Sequence, residues 1–206
     1  MIYTFKGSED IAHTYLICCF NHCYLIDPSH DLELIQEKLA NRSLEGILIT
    51  HAHMDHVSLI HAFHAPIYIH ELDAALLFED QNNGFDQVKR LYKRKDLDIR
   101  IIHDQDKIPI GDEFIQVIHT PGHTKGSVSF LYNQALFTGD TLFKMSVGRH
   151  DLYSGNLFEL KKSILKLIDE YHSNTIVYPG HDEPTTLRDE RKNNPFYIKW
   201  KKQVKI

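Results

Sequence analysis

Thr50-His51-Ala52-His53-Met54-Asp55-His56 places four potential metal ligands within six consecutive positions, directly after the apolar run Ile47-Leu48-Ile49. That order predicts a buried strand that ends and opens into a cluster of ligands. In extended chain, residues two apart share a face, so His51 and His53 point the same way and Asp55 falls on the same side. His56 turns toward a second ion if the chain bends into a helix there. Imidazole nitrogen suits zinc or iron, and a carboxylate can bridge two cations. A lone His-x-His pair would carry little, because many such pairs are ordinary surface or core residues. The complete pattern after an apolar strand carries far more.

Three further ligand types stand downstream, each at the end of a β-rich run. His123 lies in Thr120-Pro121-Gly122-His123, Asp140 in Thr138-Gly139-Asp140, and His181 in Tyr178-Pro179-Gly180-His181. The glycine before each lets the backbone turn sharply and approach a crowded site. Each alone reads as a turn residue; together, as turn after turn delivering a ligand, they do not. Five histidines and two aspartates are too many for one tetrahedral ion, but suit two ions sharing a carboxylate and a water. The chain has fifteen histidines, and the other ten lack this context, with His150 the one held open.

The bulk properties are ordinary for a soluble globular protein. In 206 residues, 42% are hydrophobic and 25% charged, and the net charge is −5, so nothing global favours nucleic acid or an anionic membrane. No apolar run of about eighteen residues exists to span a bilayer, and Glu9, Asp10 and His13 interrupt the stretch a signal peptide would need. Cys18, Cys19 and Cys23 are an odd, crowded set, which favours reduced thiols and a cytoplasmic setting. Adjacent cysteines on a strand face opposite ways, which argues against a zinc site there.

Strand-like runs over 2–5, 13–19, 23–26, 47–49, 67–69, 99–102, 114–118, 128–132, 135–137 and 175–178 alternate with helical spacing. Helices are expected over 32–40 behind a cap at Asp27-Pro28-Ser29, over 56–64, 71–78 and 85–95, over 157–168 capped by Ser154 or Asn156, and over 185–193 before Pro195. The stretch from Lys89 to Lys95 is strongly basic and reads first as a solvated face, otherwise as a dock for an acidic partner. Interleaved strands and helices without a linker indicate one mixed α/β domain over residues 1–206.

The ordered set of HxHxDH, a later His, a later Asp and a final His resembles the metallo-β-lactamase superfamily over nearly the whole chain. Thr138-Gly139-Asp140-Thr141-Leu142-Phe143, Gly148-Arg149-His150-Asp151-Leu152 and the tail from Pro179 through Thr185-Thr186-Leu187 and Glu190 to Asn194-Pro195-Phe196 are most similar to short glyoxalase II (hydroxyacylglutathione hydrolase) proteins. The resemblance implies an αββα sandwich with the metals at one edge. It implies that His51, His53 and His123 bind one metal, that Asp55, His56 and His181 bind the other, and that Asp140 bridges them. Asp55 and Asp140 would be the catalytic carboxylates, acting with two divalent ions, zinc first and iron or manganese as alternatives. The family usually has Asn at His13 and Thr at His150. The C-terminal helical domain with which full-length glyoxalase II grips glutathione has no counterpart in these 206 residues.

The expected chemistry is hydrolysis of a small-molecule thioester such as S-lactoylglutathione by a hydroxide shared between the metals. One metal stabilises the oxyanion, and a thiol of pKa about 8.5 leaves without a strong general acid. Arg149, with Asp151, would meet a substrate carboxylate, or the two would simply pair with each other. The expected protein is a monomer or homodimer without nucleic-acid or membrane partners. Rival expectations are a single-iron persulfide dioxygenase, which shares these motifs, a lactonase or β-lactamase, a nuclease, and a non-catalytic metal-binding scaffold.

Overall fold

The computed structural model describes residues 1–87 and 96–204. Its first sheet takes β1 (Ile2–Phe5), β2 (Thr14–Cys19), β3 (His22–Ile26), β4 (Ser43–Leu48), β5 (Ile67–His70) and β6 (Ile99–Ile102) in that spatial order. Between these strands come α1 (Leu32–Leu39), α2 (Met54–Val57), α3 (Glu71–Ala74) and α4 (Asp80–Asn83). The second half begins with β7 (Lys107–Ile110), β8 (Glu113–His119), β9 (Val128–Tyr132) and β10 (Ala135–Gly139). A hairpin of β11 (Leu142–Phe143) and β12 (Ser146–Val147) follows, then α5 (Leu157–Glu170), β13 (Ile176–Pro179), β14 (Thr185–Thr186), α6 (Leu187–Asn193) and α7 (Pro195–Val204). The second sheet is ordered β14-β13-β10-β9-β8-β7.

Strand alternation makes the layers. In β2, Tyr15, Ile17 and Cys19 enter the cluster between the two sheets, where they meet Ile115, Val117, Phe130 and Phe137 of the second sheet. Leu16 and Cys18, pointing the other way, join Leu25, Ile35 and Ile47 on the outer side of the first sheet. A third cluster packs Leu160, Ile164, Leu167 and Ile168 of α5 against Leu136 and Val177. Helix, sheet, sheet and helix are therefore stacked in four layers, the αββα sandwich. Asn156 starts α5, its side chain accepting from Phe158 N at 2.9 Å and Glu159 N at 3.2 Å.

Topology brings the ligand turns to one edge. β3, β4, β5 and β6 run parallel, so β3, β4 and β5 all end on the same side. In the second sheet β8 and β10 each pair antiparallel with β9, and β13 is parallel to β10. The carboxyl ends of β8, β10 and β13 therefore also share a side, and these are the strands that lead into His123, Asp140 and His181.

Several expectations change. Residues 56–64 form α2 plus a separate 3₁₀ turn, Ile60–Ala62, because the helix starts two residues early, at Met54. Residues 185–186 pair as β14, and the helix begins at Leu187; Pro195, expected only to close it, opens α7, the position where its missing N–H costs nothing. β7 has no counterpart in the sequence expectations. Asp27 does not cap α1, whose start shows no side-chain cap. Cys18 and Cys23 lie opposite each other on β2 and β3, Cα atoms 4.2 Å apart, and form a disulfide, correcting the expectation of reduced thiols; Cys19 is free and buried. The basic stretch Lys89 to Lys95 lies outside the described residues. Among the described residues, no helix is long and apolar enough to cross a membrane.

Candidate metal centre

All seven sequence-derived ligands converge. His51, His53 and His123 bring ligand atoms within 4.8 Å of one another, as do Asp55, His56 and His181, and so also His51, His56 and Asp140. His123 Nε2 is 2.8 Å from His53 Nδ1, and His181 Nε2 is 3.1 Å from Asp55 Oδ2. Asp140 spans the two groups: its Oδ1 is 3.2 Å from His56 Nε2 and 3.8 Å from His181 Nε2, while its Oδ2 is 3.7 Å from His123 Nε2.

Backbone requirements explain the glycines. Gly139 sits at φ +48°, left-handed, and a Cβ there would collide with Thr50. At Gly180 close approach decides: a Cβ would strike Asp140 Oδ1 and His56 Cε1.

Burial and charge divide the ligands. His51, His53, His56 and His123 are buried, whereas the side chains of Asp55 and His181 keep 25% and 21% of their exposure. Burial, with His56 and His123 nearby, pushes the His51 imidazole well below its ordinary value. Burial and His123 lower His53 to about 4. His56 goes the other way: burial depresses it, but Asp55, Asp140 and Asp27 outweigh that and raise it well above the usual value. His181 is raised too, burial being outweighed by the Asp55 hydrogen bond and by Asp140. Burial disfavours the charged Asp140, yet His56, His123 and His181 hold its carboxyl well below the ordinary range.

Supporting residues fix these ligands. Asp27 Oδ1 accepts from Thr50 N at 2.8 Å, and Oδ2 accepts from Thr50 Oγ1 at 2.6 Å and from His56 Nδ1 at 2.8 Å. Asp73, fully buried, accepts from Gly126 N, Thr124 Oγ1 and Ala52 N, tying the loop before β9 to the chain between His51 and His53. His123 Nδ1 donates to the Arg149 carbonyl at 2.8 Å, leaving Nε2 to face the centre. Sequence reasoning missed Asp27 and Asp73. Asp27 carried a signal, a carboxylate at a strand end in line with the ligand strand; Asp73 carried none within its helical stretch. Arg149 and Asp151 bind each other on the surface, Nε to Oδ1 at 3.0 Å and Nη2 to Oδ2 at 3.2 Å.

The donor set suits cations. His51 Nε2 is buried with no hydrogen-bond partner among the described residues, and His56 Nε2 and Asp140 Oδ1 face each other at 3.2 Å as an ion pair without hydrogen-bond geometry, although such atoms are costly to bury unsatisfied. Imidazole and carboxylate donors at this spacing fit zinc, iron or manganese.

The family model of the metallo-beta-lactamase superfamily matches residues 7–181. A probable metallo-hydrolase of Streptococcus pyogenes is 33% identical, over 94% of this chain and 89% of its own length. Among solved structures, the B3 metallo-beta-lactamase BLEG-1 superposes with a TM-score of 0.85 at 31% identity, covering 96% of this chain and 99% of that one. The protein TTHA1623, solved in a di-iron-bound form, superposes with a TM-score of 0.80 at 32% identity, covering 94% and 99%.

Proposed function

We propose that this chain, which belongs to the metallo-beta-lactamase superfamily and is a metallo-hydrolase-type enzyme, is a thioester hydrolase of glyoxalase II type, cleaving S-2-hydroxyacyl thiols such as S-lactoylglutathione. The observation that carries the proposal is Asp140, whose two oxygens face different ligand groups. A carboxylate that faces both groups suits a two-cation centre. His51, His53 and His123 would hold one cation and Asp55, His56 and His181 the other, with Asp140 available to both. Two divalent cations there would supply a water acidified to near neutral pH and positive charge for the oxygen of the attacked carbonyl. Zinc is the first candidate, and the di-iron form of TTHA1623 supports iron as the alternative.

The chain's own residues do the rest. Asp55, the more exposed of the two carboxylates, accepts a proton from the incoming water. Phe143 stands edge-on to His181, ring centroids 6.1 Å apart, and gives the substrate an apolar flank. Arg149 exchanges its exposed partner Asp151 for a substrate carboxylate. A thiol of pKa about 8.5 departs as thiolate, so no general acid is needed. The net charge of −5 supports a small-molecule substrate over nucleic acid.

One specific observation favours a second reading, a single-iron persulfide dioxygenase. His51, His56 and Asp140 form a compact set of two histidines and a carboxylate, the donor combination of mononuclear iron oxygenases. A thiol-release assay over S-lactoylglutathione, other acyl thiols and coenzyme A esters, on enzyme of known metal content, decides. Thioester turnover with two ions per chain is expected. Oxygen uptake with one iron per chain and no thiol release overturns the proposal.

A further inference from the structure

The tail motif from Thr185 to Phe196 contributes no ligand, yet it contains a fully buried carboxylate. Glu190, on α6, is 0% exposed. Its Oε1 accepts from Thr185 Oγ1 at 2.7 Å, and its Oε2 accepts from Asn194 Nδ2 at 2.8 Å and from the backbone N–H of Met145 at 2.9 Å. Asn194, also fully buried, donates from Nδ2 to the Ser146 carbonyl at 3.1 Å, while its Oδ1 accepts from Phe196 N and Tyr197 N and caps α7. Two adjacent residues at the tip of the β11–β12 hairpin are thus gripped from the far end of the chain.

Burying a carboxylate is expensive unless its lone pairs are filled, and here one of the donors filling them is the hairpin itself. Met145 lies at φ 61°, a left-handed conformation disfavoured for a side-chain-bearing residue. The Glu190 carboxylate on Met145's own N–H helps to hold it there. What the hairpin connects gives the grip a purpose. Asp140 precedes it by two residues, Phe143 on its first strand faces His181, and Arg149, whose carbonyl orients His123, lies two residues beyond β12. Gly148 N closes the loop onto the Thr141 carbonyl at 3.3 Å. Moving the tip therefore moves the carboxylate between the two ligand groups and the acceptor that aims His123.

We infer that Glu190 and Asn194 are positioning residues, a clamp by which α6 and α7 hold the β11–β12 hairpin and, through it, Asp140 and His123 in metal-binding register. The inference rests on the metal-centre assignment but not on the thioester substrate.

Glu190→Gln keeps an oxygen for Met145 N and Asn194 Nδ2, and its amide can donate to Thr185 Oγ1. Glu190→Ala removes every acceptor. Asn194→Asp retains the oxygen that caps α7 but loses the donor to Ser146 and sets two carboxylates together. Three readouts apply: deuterium exchange of the segment 141–148, zinc affinity by competition with a chromophoric chelator, and the KM-against-kcat split on a thioester. Glu190→Gln is expected within about threefold of the native protein in all three. Glu190→Ala and Asn194→Asp are expected to expose the hairpin to exchange and to weaken zinc binding about tenfold, the low end of what direct partners of metal ligands give because these residues act one step further out, with the turnover loss falling mainly on kcat. If Glu190→Ala does not fold, Asn194→Asp decides. Native hairpin exchange and native zinc affinity in a folded Glu190→Ala or Asn194→Asp protein overturn the inference, and so does Glu190→Gln losing as much as Glu190→Ala. Exchange and zinc binding need no substrate, so failure of the thioesterase proposal leaves this test intact.

Discussion

Of the two ligand groups that meet at Asp140, one is three buried histidines and the other is an aspartate with two histidines, two of the three partly exposed. In the first group, burial and mutual repulsion keep His51 and His53 neutral at physiological pH, so their lone pairs are free for a cation. In the second, His56 and His181 are tied to carboxylates and hold protons more tightly than an ordinary histidine. A cation entering the first group displaces no proton from His51 or His53. One entering the second competes with protons that already satisfy the carboxylates. Proximity alone does not make two metal sites equivalent; what the ligands do without the metal sets the difference.

The largest test of that contrast is His53→Ala. It is expected to lower kcat/KM by about 10³-fold or more and to remove one ion of two, as elemental analysis would record. Loss of both ions together would merge the two groups into one, and full activity with unchanged metal content would sink the assignment. A smaller change is Asp27→Ala, which strips His56 of its orienting acceptor directly and reaches the first group only through Thr50, whose Oγ1 also lies 3.1 Å from His51 Nδ1. Chelator titration is expected to show the second group weakened about 10–100-fold and the first weakened less. Thermal denaturation should show a loss of about 1–3 kcal/mol, because Thr50 N–H is left buried without an acceptor. Equal weakening at both sites would erase the distinction.

The smallest effect is graded. Raised folded-state pKa values mean that His56 and His181 stay protonated to higher pH, so metal affinity at the second group climbs as pH rises through those values. In the first group, His51 is held well below its ordinary value and His53 is lowered to about 4, so these two ligands add no such pH dependence over the same range. Each displaced proton costs about tenfold in affinity per pH unit. Acidification from about pH 8 to 6 should therefore strip the second ion first, as metal content after equilibration would record. Simultaneous loss would contradict the charge pattern.

The ligands themselves were legible because each follows an apolar run with a turn signal, a pattern set by local backbone chemistry. Their division between two groups was not legible from spacing, since it depends on α2 starting at Met54 and swinging Asp55 and His56 away from His51 and His53; the family resemblance provided it. The mixed α/β class could be anticipated from strand and helix alternation, the sandwich only from the family resemblance, and Asn156 as one of two candidate caps of α5 from residue type. Partnerships made only in space stayed hidden. Asp73 sits within a helical stretch and reaches its partners across the fold. Glu190 was visible as a motif without a task, because its partner is a backbone amide forty-five residues away. The Cys18–Cys23 pairing depends on strand register, which an odd cysteine count obscures.

The two sheets meet the centre from opposite sides, and direct bonds join them there besides those of Asp73 to Thr124 and Gly126. Val128 N reaches the Thr50 carbonyl at 2.9 Å, His13 N reaches the Gly180 carbonyl at 2.7 Å, and Tyr15 Oη reaches the Pro179 carbonyl at 2.5 Å. His51, His53, Asp55 and His56 hang from the first sheet; His123, Asp140 and His181 hang from the second. Cations held there would therefore be staples across a seam, and their binding free energy would also be adhesion between the two halves of the sandwich. Metal supply and mechanical cohesion become one equilibrium. A substitution that loosens either sheet far from the centre will register as leakier metal, and starvation for metal will register as a sandwich that opens along its edge.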